Sequence, residues 1–205
     1  MPQEVLHRPQ LGWRRRRIFA AAGLRPPAAE HSAAEAQLLL RYGAGATRVV
    51  EIGVSEGGSA YELAQVAARG STLHLIDPYP RGRLGVSFAE MTAHRLLDKA
   101  TADGKTVKWL RQLSSDAVRG WHEPIDFLFI DGDHAYDTVK RDWEEWTPFV
   151  RSNGYVALHD ALVKPNGWTD DDSGPVRFVR ELGDAPPGFR LVDSADSTVV
   201  YQKDA

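Results

Sequence analysis

The stretch Val49 to Ala60, VVEIGVSEGGSA, constrains the fold of this chain more than any other. An apolar, β-branched run ends around an acid, Glu51, and passes through Gly53, Gly57 and Gly58 into a helix-like segment. Val49, Val50 and Ile52 suit a strand buried on both faces. The glycines allow the backbone to turn tightly as the strand ends, and Ser59 lies where a helix begins. Strand, glycine loop and helix form the opening unit of a doubly wound α/β sheet. In such sheets the ligand crevice lies at the carboxyl ends of the strands.

The loop narrows the ligand. A dinucleotide site uses G-x-G-x-x-G, so that a pyrophosphate can rest on a helix N-terminus. Here Glu51, Gly53 and Gly57 make E-x-G-x-x-x-G, with Ser55 and a second acid, Glu56, inside the loop. Two carboxylates repel a pyrophosphate and suit a ligand carrying an ammonium and a sulfonium. Thr72 to Ile76 reads as a second strand. Asp77 ends it roughly 20 residues past the glycine loop, where an acid can bind the hydroxyls of a ribose. Thr106 to Arg111 reads as a third strand, followed by Leu113, Ser114, Ser115 and Asp116. On its own residue types, Ser-Ser-Asp is a helix N-cap for residues 116 to 120.

A second block follows the same plan. Phe127 to Ile130 is an apolar strand running into Asp131, Gly132, Asp133 and His134. Ala135 to Phe149 reads as an amphipathic helix, with Val139, Trp143, Trp146 and Val150 at helical spacing. Gly154 is expected to turn the chain into a strand from Tyr155 to Leu158, which ends in His159 and Asp160. Both strands therefore deliver an acid and a histidine to the edge that carries Glu51 and Asp77. His134 follows Asp131 by one incipient helical turn, which puts the two on one face. Imidazole titrates near neutrality and can act as a general base. The plainer reading of His134 is a helix-start residue bonded to a neighbouring carboxylate.

The glycine loop resembles motif I of the class I S-adenosylmethionine-dependent methyltransferases. The run FIDGDHAYDTVKRDWEEWTPFVRSNGYVALHD resembles one branch of them, the small-molecule and sugar O-methyltransferases, including enzymes acting on macrolide antibiotics and relatives acting on catechols. The resemblance covers roughly Val49 to Asp160. It implies a Rossmann-like seven-stranded sheet with the last strand antiparallel, and S-adenosylmethionine as cofactor. It makes Glu51, Gly53, Ser55, Gly57, Ser59, Asp77, Ser114, Ser115, Asp116 and Asp131 the cofactor-binding set, with Ser115 and Asp116 at the adenine edge. Many members of this branch use Mg²⁺. By resemblance Asp131, His159 and Asp160 take the metal positions, although several relatives carry Glu where this chain has His159. His134 matches the base proposed for the macrolide enzymes.

The flanks carry weaker signals. Ser32 to Tyr42 reads as a helix opened by a capping box, Ser32 with Glu35 three residues on. Trp13 and Arg14 to Arg17 suit either a solvated helix face or a contact with an acidic substrate or a second subunit. Residues 163–174, VKPNGWTDDDSG, leave the carboxyl end of a strand and read as a lid over the site or as a mobile surface loop, with Trp168 exposed. Trp168 and the acids Asp170 to Asp172 suit a carbohydrate acceptor. Pro175 to Leu182 reads as a helix, and Phe189 to Val192 with Thr198 to Tyr201 as a closing hairpin.

At 205 residues the expectation is one domain, an N-terminal arm and helix over 1–45 and the Rossmann-like core over 46–205. The chain has no Cys, so neither a disulfide framework nor a Cys-based zinc site is available. A net charge of −3 argues against general nucleic-acid binding. No apolar run is long enough for a membrane span, and the expected location is cytoplasmic. Three functions compete: a metal-assisted O-methyltransferase acting on a saccharide or other small molecule, alone or as a homodimer; a nicotinamide dehydrogenase, which lacks its glycine motif here; and a non-catalytic cofactor-binding partner module.

Overall fold

The structure is a computed structural model. It describes residues 17, 19–24, 31–82, 85–101, 104–164 and 167–205. Trp13 and Arg14 to Arg16 lie outside the described residues. Arg17 is within them, and its Nε lies 3.4 Å from Glu56 Oε1.

Seven strands form one sheet in the order β3-β2-β1-β4-β5-β7-β6. They are β1 (Arg48–Ile52), β2 (Thr72–Ile76), β3 (Thr106–Leu110), β4 (Ile125–Ile130), β5 (Val150–Leu158), β6 (Phe189–Ala195) and β7 (Thr198–Lys203). The pairs from β3 through to β5 are parallel, and β7 runs antiparallel to both β5 and β6. This is the expected Rossmann-like sheet. The helices are α1 (Ala33–Gly43), α2 (Gly58–Val66), α3 (Phe88–Ala100), the short α4 (Ser114–Ala117), α5 (Tyr136–Trp146) and α6 (Gly174–Leu182).

The apolar runs are continuous because the sheet is covered on both sides. Val49, Leu73, Leu75, Phe127 and Phe129 pack against α1, α2 and α3. Their strand neighbours Val50, Leu128 and Ile130 pack against α5 and α6, around Trp143, Trp146 and Phe178. Strand alternation thus splits each run between two cores. The strand order reverses between β1 and β4, so a crevice opens above their carboxyl ends.

Several local expectations change. The Ser32–Glu35 capping box is present. The expected cap at Ser115 is not: Leu113 caps α4, and the Ser114 hydroxyl donates instead to Asp142 Oδ1 at 2.5 Å. The helix begins one residue before the expected cap, so Ser115 lies inside its first turn. The chain does loop out just before Tyr155, where Arg151 to Gly154 stand against the single residue Asp126 of β4, but the strand assignment is continuous through the loop. β5 runs through it from Val150, with a register shift against β4 and Asn153 at φ 62°. Val150 accordingly belongs to β5 and not to the helix face. The helix α3 is additional, although Ser87 and Glu90 carry its signature: the Ser87 hydroxyl accepts the Glu90 N–H. Its Ala93 Cα lies 3.0 Å from where a Cβ on Gly57 would stand, so α3 packs directly under the glycine loop.

Candidate active site

Backbone hydrogen bonds lock the strand ends that build the site. Gly53 N–H donates to Ile76 O, Asp131 N–H to Ile52 O and His159 N–H to Ile130 O, at 2.9, 2.8 and 3.1 Å. The residue following each strand is therefore held level with its neighbours. Gly53 has φ 86°, and a Cβ there would stand 2.0 Å from Asp131 O, so both the backbone conformation and the close approach require glycine.

The crevice is an open cleft of about 820 Å³. Of the expected site residues, Gly53, Ser55, Asp77, Ser114, Asp131, His134, His159 and Asp160 line it. Trp168 of the 163–174 loop joins them, with Asp133, Thr138, Arg141 and Asp142, which sequence reading did not assign to the site. Glu51, Gly57, Ser59, Ser115 and Asp116 are not on its wall.

Their positions explain why. Glu51 is fully buried, and its Oε1 accepts the Ser59 hydroxyl at 2.5 Å, tying the end of β1 to the first turn of α2. Burial holds its carboxyl well above the usual range, against the Ser59 bond, and among the described residues its Oε2 has no hydrogen-bond partner. Asp77 supports the loop from the other side. Its Oδ2 accepts the N–H groups of Val54 and Ser55 at 3.1 and 3.0 Å, and its Oδ1 that of Tyr79 at 2.7 Å. Asp116 is exposed and pairs with Arg119. Asp142 is the buried acid beneath the cleft; burial raises it to about 6 despite the Ser114 hydrogen bond.

The second cluster gathers at the ends of β4 and β5. Asp131, His134 and Asp160 each offer a ligand atom, all within 4.8 Å of one another. His134 is 48% exposed, and its Nε2 lies 3.5 Å from Asp160 Oδ2. Trp168 Nε1–H donates to that same oxygen at 2.7 Å, so the Trp168 side chain stands against Asp160. Two carboxylates and an imidazole make a donor set suited to a divalent cation.

His159 touches two members of that group, Asp131 and Asp160. It is buried, with Nδ1 3.0 Å from Asp131 Oδ1 and Nε2 3.7 Å from Glu35 Oε1. Burial alone lowers an imidazole pKa, but Asp131, Glu35 and Asp160 outweigh it and hold His159 well above its ordinary value. Both ring nitrogens face carboxylates, an arrangement that holds Asp131 from behind.

A methyltransferase is the class of protein this sheet and cleft define. A family model described as a methyltransferase domain matches residues 50–161, more than half of the chain, and the chain belongs to that family. An uncharacterized protein of Acanthamoeba polyphaga mimivirus is 31% identical over 116 residues, 54% of this chain. The chain spans half of that relative's length and 14% of another's. Among solved structures, an O-methyltransferase from Bacillus cereus in complex with SAH superposes with TM-score 0.64 at 19% identity, covering 96% of this chain and 92% of that one. The O-methyltransferase TomG from Streptomyces achromogenes, involved in tomaymycin synthesis and solved with SAM, gives 0.63 at 20% identity, covering 98% and 93%. These likenesses establish the fold.

Proposed function

We propose that this protein is an S-adenosylmethionine-dependent O-methyltransferase, Mg²⁺-assisted, that methylates a hydroxyl of a saccharide or other small molecule, with His134 as general base. One observation carries the reading: Asp131, His134 and Asp160 converge in the same cleft as the glycine loop and Asp77.

S-adenosylmethionine brings a methyl already activated as a sulfonium, so the demand on the protein falls on the nucleophile. Mg²⁺ would lower the pKa of a hydroxyl bound to it, and Asp131 and Asp160 are the residues to hold it, with waters completing its shell. His159 then serves Asp131 as a hydrogen-bonding partner. His134, half in solvent beside Asp160, accepts the acceptor's proton at Nε2 in this reading and passes it to water. Asp77 faces the cleft and offers its remaining lone pairs to the ribose, while its backbone bonds hold it still. Ser114, over Asp142, stands on the adenine side of the same cleft. Glu51 and Ser59, from beneath, fix the loop rather than the ligand. Trp168, 49% exposed, offers a flat apolar face over the site, which favours a sugar ring. A cytoplasmic location belongs to the same reading.

The test is a screen of saccharide and phenolic acceptors by mass spectrometry for the gain of one methyl group, with and without EDTA. Methylation that EDTA abolishes, and that His134→Ala slows by about 10²–10⁴ in kcat, supports every part of it. Full activity in EDTA defeats the metal; unchanged kcat in His134→Ala defeats the base.

A further inference from the structure

Glu35 sits three residues into the capping box of α1, yet it is only 1% exposed and its two carboxylate oxygens do different work. Oε2 accepts the Ser32 N–H at 2.6 Å, closing the capping box, and lies 3.4 Å from Lys164 Nζ. Oε1 points at the cleft's floor. It accepts the N–H and hydroxyl of Ser197, in the β6–β7 turn, at 3.0 and 2.5 Å, and stands 3.7 Å from His159 Nε2, an ion-pair contact rather than a hydrogen bond.

Two routes lead onward from that one oxygen. His159 Nδ1 lies 3.0 Å from Asp131 Oδ1 and 3.5 Å from Asp160 Oδ2. The Ser197 hydroxyl, whose hydrogen goes to Glu35 by the shorter bond, is also 3.3 Å from Asp160 Oδ1. His159, Asp160 and Ser197 are 4%, 2% and 1% exposed. In so dry a setting a charge a few ångströms away is weakly screened, and the network orients its members strongly. A residue that only caps a helix needs one oxygen and a surface position. Glu35 uses both oxygens and is buried where α1, the end of β5 and the β6–β7 turn meet.

We propose that Glu35 is a positioning residue of this active site: clamping His159 and Ser197 from behind, it sets the carboxylates of Asp131 and Asp160. The functional consequence rests on those carboxylates doing the work assigned to them above; the clamp itself does not.

Two variants of the full chain separate the roles of the two oxygens. Gln also serves at this position of a capping box, so Glu35→Gln preserves the cap and removes the charge facing His159. Ser32→Ala breaks the cap and leaves the Oε1 contacts in place. The readouts are the ring ¹⁵N resonances of His159, assigned with His159→Gln, and the binding of Mn²⁺ alone. Glu35→Gln is expected to shift the His159 resonances and to weaken Mn²⁺ by about 10- to 100-fold, the usual effect of losing a residue that orients a ligand, with S-adenosylmethionine affinity within about twofold of wild type. Ser32→Ala is expected to lower Tm and leave both readouts alone. Wild-type His159 resonances in a folded Glu35→Gln overturn the clamp. If the wild type takes up no Mn²⁺, the metal reading of function fails while the resonances still decide the clamp. Should Glu35→Gln not fold, Ser197→Ala takes its place, and unchanged resonances there overturn the proposal equally.

Discussion

Asp142 shows how much a single buried carboxyl reveals. Its side chain is under the cleft, and burial raises it to about 6. An acid whose folded pKa is raised contributes stability that is fully present below its unfolded value, near 3.8, and lost as pH rises through about 6. Asp142→Asn keeps an acceptor for the Ser114 hydroxyl and removes the charge. The variant should be more stable than wild type at pH 7.5 by up to about 3 kcal/mol, with the gain gone below pH 3.8, as thermal unfolding across pH will read. Asp77 tests the cofactor reading in turn. Asp77→Ala should weaken S-adenosylmethionine by roughly 1.5–3 kcal/mol for each charge-assisted hydrogen bond lost, measured by calorimetry. Because Asp77 also holds the loop N–H groups, a fold check by circular dichroism must accompany it; unchanged affinity removes Asp77 from the ligand's contacts.

Among the elements, β2 carries a group with the opposite sign. His74 is buried, with its ring edge-on to Trp121 at a 4.5 Å centroid distance. Burial, then Lys108, lowers its pKa from 6.5 to about 4, against the pull of Glu123. The fold favours the neutral ring, so the stability it contributes is present above pH 6.5 and lost as pH falls towards 4. Wild type should lose up to about 3 kcal/mol from this group across that window, and His74→Leu should flatten the limb in a urea titration series. An identical acid limb in the variant would mean that other groups carry it. The glycine loop between β1 and α2 is also an element-level device. It is braced by Asp77, Glu51 and, through Gly57, by Ala93 of α3.

At the scale of the molecule, two helical layers and a sheet converge on one cleft, and ligand binding should stabilise the whole. At about 100 times its Kd, S-adenosylmethionine should add about 2.7 kcal/mol, which for a domain of this size is a rise in Tm of about 5–11 °C. NAD⁺ at the same concentration should leave Tm unchanged. A shift with NAD⁺ and none with S-adenosylmethionine would reverse the assignment of the cofactor. Among the described residues no helix is long and apolar enough to cross a membrane.

The sheet was legible in the sequence because a strand covered on both faces must be apolar throughout, and the acids at strand ends interrupt that pattern visibly. Hence the sequence alone assigns Asp77, Asp131, His134, His159 and Asp160 to one edge. Local signals settled the capping box and the hairpin for the same reason: their hydrogen bonds span few residues. What sequence could not settle depended on competition between distant groups. The Ser114 hydroxyl donates to a carboxylate 28 residues away, which only packing brings within reach. Glu51 and Ser59 look like ligand contacts along the chain, but folding places them under the loop. Glu35 looks like a cap, and comes to lie behind His159 only when α1, the end of β5 and the β6–β7 turn meet. Periodicity and chain direction are properties of neighbours in sequence, so the sequence determined the sheet and the edge where the site stands. Which carboxylate faces which imidazole is a property of neighbours in space, where burial sets the strength of each charge, and only the tertiary structure decided that.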